Sequence, residues 1–278
     1  MEKLKNGFGW EPKSQPMTIP SGILVPTHKA IVNDQTGEPI FCMSKGYNIL
    51  SNEELTQRSY ELAESIGSSV RSFSTFKGGR VVMVQISNPH SDFVIEGSPM
   101  KSNIVIGNSF DGTKPIFIGS TDTYVRCKNQ LGRILKAASI RHQKDQSLKL
   151  EDLVELVKIY FDEHSQMLKQ FERMANFKID DDVRQALIEN YFDIDSKLGD
   201  DISTRKSNQI VELNSSIDRE VGALGDTAWG LFNGVTFHNT HVVKQKGRDE
   251  FGLFGLTATK NEKAYQFLTG VMEHGLSA

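Results

Sequence analysis

Two tight-turn signatures frame the middle of this chain. Lys77-Gly78-Gly79 and Phe110-Asp111-Gly112-Thr113 each stand between two runs with period-two patterning. Glycine takes positive φ without steric cost, and Asp-Gly is among the strongest short-range hairpin signals. The turns predict strands at residues 70–76 with 80–86, and at 103–108 with 114–120. Four strands in succession, mostly antiparallel, are expected. Upstream, extended runs at 23–32 and 39–47 flank the turn residues Asn33-Asp34-Gln35-Thr36-Gly37 and predict another hairpin. Between the hairpins, Ser51-Asn52-Glu53-Glu54 has the form of a capping box. It opens a helix with an apolar stripe of Leu55, Leu62, Ala63 and Ile66, joined more loosely by Tyr60, and Gly67 stops it.

Downstream the period changes to that of a helix. Leu150, Leu153, Val154, Val157, Phe161, Leu168, Phe171 and Met174 keep helical spacing over a long segment, 150–174. Further helices are expected at 123–141, 181–191, 203–224, 227–241 and 260–274. Residues 1–20 are rich in Pro, Gly and Lys and read as a flexible arm, or one docked on a neighbour through Phe8 and Trp10. The expected fold class is α+β. An antiparallel β-sheet with flanking helices, a helix–four strands–helix core, is followed by an all-α C-terminal half. The expected division is an arm at 1–20, an α+β domain at 21–145 that binds nucleic acid, and a helical domain at 146–278.

Charge is segregated along this order. The chain carries 32 Lys and Arg against 35 Asp and Glu, a net −3. Residues 1–149 hold 18 basic and 13 acidic side chains, whereas residues 150–226 hold 9 and 18. A near-neutral total thus conceals a basic part followed by an acidic one. That pattern allows a polyanion-binding face on the first part. Two cysteines, Cys42 and Cys127, cannot build a disulfide framework or a multi-cysteine zinc site, which favours a reducing compartment. The early lysines are followed by no apolar h-region, and no apolar stretch is long enough for a bilayer. The expected location is the cytoplasm, without membrane association.

Several catalytic motifs fail on detail. Gly107 to Lys114 resembles a P-loop, but Thr113 separates the second glycine from the lysine and Pro115 leads into a strand. Gly7-Phe8-Gly9 has no preceding strand and no third glycine, so it is no dinucleotide fingerprint. Asp180-Asp181-Asp182 fits the start of a helix better than a Mg²⁺ site, since adjacent residues point to different faces. His238 and His241 stand three apart on an expected helix, where both could face a metal. No Cys or carboxylate nearby in sequence completes that ligand set, so hydrogen bonding or capping is the simpler role. A metal-dependent nuclease built on this pair is the least favoured reading. No nucleophile–base triad is visible, and no cofactor is expected.

One constellation remains. On a helix over 123–141, about 100° per residue puts Arg126, Arg133 and Arg141 on one side with Lys136 beside them. Leu131, Ile134, Leu135 and Ala138 fall on the other side. Lys128 adds to the row, and Lys77 and Arg80 add two cations at a hairpin tip. Phe76 and Tyr124 stand close by in sequence. Cations that track phosphates and rings that stack bases are what a single-strand groove needs. The plainer reading of these residues is a solvated basic helix over core aromatics.

Several stretches resemble a family of proteins of unknown function found in phages, plasmids and integrated elements. They are Val25-Pro26-Thr27-His28-Lys29-Ala30-Ile31-Val32, Thr36-Gly37-Glu38, Gly46-Tyr47, Gly78-Gly79-Arg80-Val81 and Asn108-Ser109-Phe110-Asp111-Gly112. Val125-Arg126-Cys127-Lys128-Asn129-Gln130-Leu131 is a further one. The most specific is Thr227-Ala228-Trp229-Gly230-Leu231-Phe232-Asn233-Gly234-Val235-Thr236, with His238 and His241 behind it. Within it Trp229, Phe232 and Asn233 can share one helix face, as a docking surface or as a buried packing latch. The order of elements is also similar, more distantly, to Rad-fifty-two-like single-strand annealing proteins, which assemble into rings or filaments. That likeness is one of topology and carries no residue roles.

Together these readings lead to an expected function. The chain would be a phage or plasmid DNA-recombination accessory in a bacterial host cell. It would bind single-stranded DNA without sequence specificity and promote annealing without ATP, as a homo-oligomer. Arg126, Lys128, Arg133, Lys136 and Arg141 would contact phosphates, Lys77 and Arg80 would clamp the strand, and Phe76 and Tyr124 would stack bases. The alternative is an acidic helical interaction protein that binds a host defence factor or a host or phage replication protein.

Overall fold

The structure is a computed structural model. It describes residues 7–88, 93–95, 98–124, 129–140, 149–194, 202–243, 253 and 255–276, with the backbone alone for residues 98, 124 and 129–140. The fold is α+β, with antiparallel sheets and one helix first and a largely helical part after them. In chain order come β1 (Pro12–Thr18), β2 (Leu24–Asn33), β3 (Pro39–Ser44), α1 (Asn52–Ser65), β4 (Val70–Phe76), β5 (Val81–Ser87), β6 (Phe93–Ile95), β7 (Ser98–Ser109), β8 (Ile116–Tyr124) and β9 (Asn129–Ile140). The helices α2 (Leu150–Asn176), α3 (Asp181–Phe192), α4 (Thr204–Leu224), α5 (Ala228–Phe237) and α6 (Gly255–His274) follow. Between α5 and α6 lies a π-helical turn, His238–Val242.

Strands β1, β2 and β3 form a three-stranded antiparallel sheet in that order. A six-stranded sheet runs β4-β5-β7-β8-β9, with the short β6 paired to β7. The Lys77-Gly78-Gly79 turn joins β4 to β5, with positive φ at all three residues. The Asp-Gly turn joins β7 to β8, with Gly112 at φ 70°. Between these two strands Gly107 has a steric role. A Cβ there would lie 2.1 Å from the Phe117 ring, so only hydrogen leaves room for that ring.

The chain divides into two compact units, each drawn from three stretches of sequence. Unit 1 comprises residues 1–91, 102–120 and 134–162; unit 2 comprises 92–101, 121–133 and 163–278. A single cut near residue 145 therefore does not separate them. The core of unit 1 buries Val82, Val84 and Ile86 of β5, Ile104 and Ile106 of β7 and Ile116 and Ile118 of β8. Against these lie Leu55 and Leu62 of α1 and Leu153, Val157 and Tyr160 of α2. The strand positions share parity, as expected where one sheet face meets helices. The core of unit 2 gathers Phe171 of α2, Leu187 of α3, Leu213 and Ile217 of α4, Trp229, Phe232 and Val235 of α5 and Leu268 of α6.

The segment read from sequence as a helix at 123–141 departs from expectation. Residues 129–140 are strand β9, next to β8 in the sheet, and Tyr124 ends β8. Leu, Arg, Lys and Ala favour a helix here, but hydrogen-bonded pairing with β8 outweighs propensity. Strand β1 lies inside the segment read as an arm, and Trp10 before it is buried in the unit 1 core.

Candidate nucleic-acid interface

At one end of unit 1, the β4–β5 turn, the β7–β8 turn and strand β3 come together. Gly79 passes so close to Ile40 that a Cβ would sit 3.3 Å from it, and Gly112 approaches Met43 equally closely. The Phe110 N–H donates to the Arg80 carbonyl at 2.7 Å. These contacts set the exposed Arg80 guanidinium over the half-buried Phe41 ring, 5.5 Å from its centroid. Lys77, at φ 52° on the same turn, is exposed, and Phe76 before it is half-buried.

Two bonds bring more cations to this end. The Tyr47 hydroxyl donates to the Ser109 carbonyl at 2.9 Å, and Lys29 Nζ donates to the Tyr47 carbonyl at 2.7 Å. Lys114 is tied to Ser109, whose Oγ accepts its N–H at 2.9 Å. Lys45, two residues before Tyr47, is exposed. The neighbouring carboxylate is Asp111, which accepts from the Thr113 N–H and hydroxyl. Burial pushes the Tyr47 phenol well above its ordinary range, and the Asp111 charge adds to the shift. The phenol is therefore a neutral hydrogen-bond donor at physiological pH. A guanidinium on an aromatic face, flanked by lysines, can meet phosphates and the faces of bases together. Phe41, Tyr47, Lys29, Lys45 and Lys114 were not among the binding residues expected from sequence, although Lys29 and Tyr47 lie in stretches that carry the family resemblance. Alternation marks Phe41 as a strand position, but no local pattern ties it to Arg80, far along the chain.

The remaining expected contacts divide differently. Arg126, Lys128 and Arg141 lie outside the described residues. Arg133 and Lys136 are on β9 and Tyr124 ends β8, where only the backbone is described. A strand has period two, so the helical spacing that grouped these cations on one face no longer holds.

The segment behind the most specific resemblance belongs to unit 2. Trp229, Phe232 and Asn233 of α5 are all buried. Trp229 lies 4.9 Å from Phe171, ring to ring, and Asn233 Nδ2 donates to the Trp229 carbonyl at 2.9 Å. His238 is buried, with its Nδ1 unpaired, and burial lowers its pKa below the usual histidine value. His241 is exposed, 4.7 Å from the Phe237 ring. The π-helical turn breaks the α-helical spacing that would put both rings on one face. Among the described residues, no three His, Cys, Asp or Glu side chains are placed to hold a metal ion. Asp180 caps α3, accepting from the Val183 N–H at 2.9 Å. Among the described residues, no helix is long and apolar enough to cross a membrane.

Comparison with known proteins adds one result. No curated protein and no solved structure matches the chain. A family model described as a domain of unknown function, DUF932, matches residues 40–266, from β3 to α6. The match covers most of the chain, which therefore belongs to the DUF932 family.

Proposed function

We propose that this protein is a DNA-recombination accessory of a phage or plasmid. It binds single-stranded DNA without reading its sequence and promotes annealing, without ATP and as a homo-oligomer. The observation that carries the reading is the Arg80 guanidinium seated over Phe41, with Lys77 exposed on the same turn. Lys29, Lys45 and Lys114 add cations at the same end of unit 1, and the half-buried Phe41 and Phe76 offer ring surface to bases. Lys128, Arg126, Arg133, Lys136 and Arg141 remain part of the proposed phosphate contacts, and Tyr124 part of the base contacts. The basic helix in the order that underlies the distant likeness to Rad-fifty-two-like annealing proteins is strand β9 instead, so α1, six strands and α2 keep only the coarser helix–sheet–helix order. What support remains is element order alone.

The test is fluorescence anisotropy of labelled oligo(dT) at several salt concentrations. Binding should weaken with salt, with a log–log slope of about −0.7 per phosphate contact. Lys77→Glu with Arg80→Glu should weaken binding and flatten that slope. Absent binding, or binding indifferent to both salt and the charge reversals, eliminates the reading. Capture of a basic host or replication protein by a chain that ignores oligo(dT) would favour the acidic interaction protein instead.

A further inference from the structure

The three-stranded sheet turns one face away from the unit 1 core, and that face gathers a methionine, a histidine and a cysteine. Register sets the face. Across β2 and β3, His28 is paired with Ser44 and Ala30 with Cys42. His28 and Cys42 therefore stand on the same side, diagonal to each other. Ile31, Phe41 and Met43 alternate with them and pack into the core of unit 1. In β1, Gln15 is paired with Ala30, and Met17 follows two residues on. A register shift lies between Pro16 and Thr18, and contact settles which side Met17 takes: the Cys42 thiol donates to Met17 Sδ at 3.1 Å. The two sulfurs come from β1 and β3 and meet above β2. There Ala30 offers only a methyl group, and His28 is its neighbour on that face.

The chemistry of the three donors fits a soft metal ion. His28 Nδ1 lies 2.9 Å from the Thr27 hydroxyl, and among the described residues Nε2 has no partner. A metal-ligating imidazole characteristically has its other ring nitrogen held in this way. Cys42 and His28 are exposed and Met17 is half-buried, so an ion in solution can reach them. Apolar packing is a weak reason for the arrangement, since neither Cys42 nor His28 is buried. Two sulfurs each about 2.3 Å from one tetrahedral ion stand roughly 3.8 Å apart, so the pair has to open by only ~0.7 Å. Strands β1, β2 and β3 contain no carboxylate, which leaves no oxygen anion for Mg²⁺, Ca²⁺ or Mn²⁺. Thiolate and thioether together select Cu(I).

We propose that Met17, His28 and Cys42 form a surface site for a soft monovalent metal ion, Cu(I) under reducing conditions. The Cys42 thiol gives its proton to water as the ion binds, and no oxidation state changes. Thiolate, thioether and imidazole Nε2 then supply three donors. The ion joins β1 to β3 across β2, on the reverse of the strand that presents Phe41 beneath Arg80. The site stands independently of single-strand binding.

A competition titration on the reduced full chain, without oxygen, tests this. Cu(I) is supplied as its bathocuproine disulfonate complex, and loss of that colour measures transfer to the protein. The parent should take up one ion per chain and show a thiolate-to-Cu(I) charge-transfer band in the ultraviolet. Cys42→Ser should abolish both. Met17→Leu and His28→Gln should each weaken uptake by about tenfold or more, since loss of even a supporting group costs that much. Cys127→Ser leaves the three donors in place and should bind like the parent. Ag(I), a redox-inert substitute, should protect Cys42 of the Cys127→Ser chain from iodoacetamide. Circular dichroism checks folding. X-ray absorption on the parent, expected to show two sulfur neighbours and one nitrogen, decides the matter without any variant. Unchanged uptake by Cys42→Ser overturns the proposal, as does displacement of Cu(I) by equimolar Zn²⁺. One ion shared by two chains also overturns it, because thiols of two copies would then be the ligands. So does uptake indifferent to Met17→Leu and His28→Gln, which would leave an exposed thiol acting alone.

Discussion

Tyr191, Asn239 and Asn261 form a chain of buried polar groups in unit 2. The Tyr191 hydroxyl donates to Asn239 Oδ1 at 2.6 Å, and Asn239 Nδ2 donates to Asn261 Oδ1 at 2.7 Å. Asn239 stands on the π-helical turn and answers both neighbours at once. Around it, Lys260 Nζ lies 4.1 Å from the Tyr191 ring centroid and donates to the Tyr191 carbonyl; burial lowers its pKa. Asn239→Leu keeps the bulk but leaves a buried hydroxyl and a buried amide oxygen without that partner. Each stranded group costs about 1–3 kcal/mol. Urea denaturation should therefore show a loss well beyond the roughly 0.5 kcal/mol of an ordinary surface change. A loss within that margin would mean that water substitutes for the amide. The sequence offered no signal for this network: it highlighted His238 and His241 by spacing, and Asn239 between them carries the bonds.

At the scale of elements, legibility tracked how local the governing physics is. Helix α1 starts where the capping box placed it, with Ser51 Oγ accepting from the Glu54 N–H at 3.0 Å. Strands β4 and β5 follow from their glycine turn, α2 from its apolar spacing, and α3 from the acidic run that reads as a helix start. Strand β9 was misread because Leu131, Ile134, Leu135 and Ala138 fit a helical stripe. The interaction that decides its state is a ladder with β8, which no local window contains. The N-terminal cap of α1 has a nonlocal part too. Glu11 Oε2 accepts from the Asn52 N–H at 2.9 Å and Oε1 from the Glu53 N–H at 2.7 Å. With Ser51, three of the N–H groups that a helix start leaves unpaired are satisfied. Glu11→Ala removes two of these bonds and Ser51→Ala one. A single cap residue contributes about 1 kcal/mol, so both should lower the thermal midpoint, Glu11→Ala more. Equal midpoints for Glu11→Ala and the parent would show that the segment before β1 adds nothing to α1.

For the whole molecule, the interleaving of the two units decides what can fold alone. Charge and composition change near residue 150, which made 145–146 look like a boundary. Folding ignores that change, because α2 begins in one unit and ends in the other. Its first half gives Leu153, Leu156, Val157 and Tyr160 to the core of unit 1. The Tyr160 hydroxyl also meets buried polar groups there, accepting from Asn88 Nδ2 at 3.3 Å and lying 3.2 Å from Ser102 Oγ. A fragment of residues 1–145 lacks all four side chains, and their absence uncovers the apolar residues of β5, β7 and β8. Each missing large side chain withdraws about 1.5–3 kcal/mol of burial, in total comparable to the whole stability of a typical domain. That fragment should aggregate or unfold without a cooperative transition in thermal circular dichroism. A fragment of residues 1–162 restores the helix segment and should recover the transition. If residues 1–145 melt cooperatively, the charge change does mark a folding boundary and α2 is only an attachment to unit 1. If they do not, the basic and acidic parts of the sequence are bound into one folding problem. Single-strand binding would then have to be assayed on chains that keep the acidic helices.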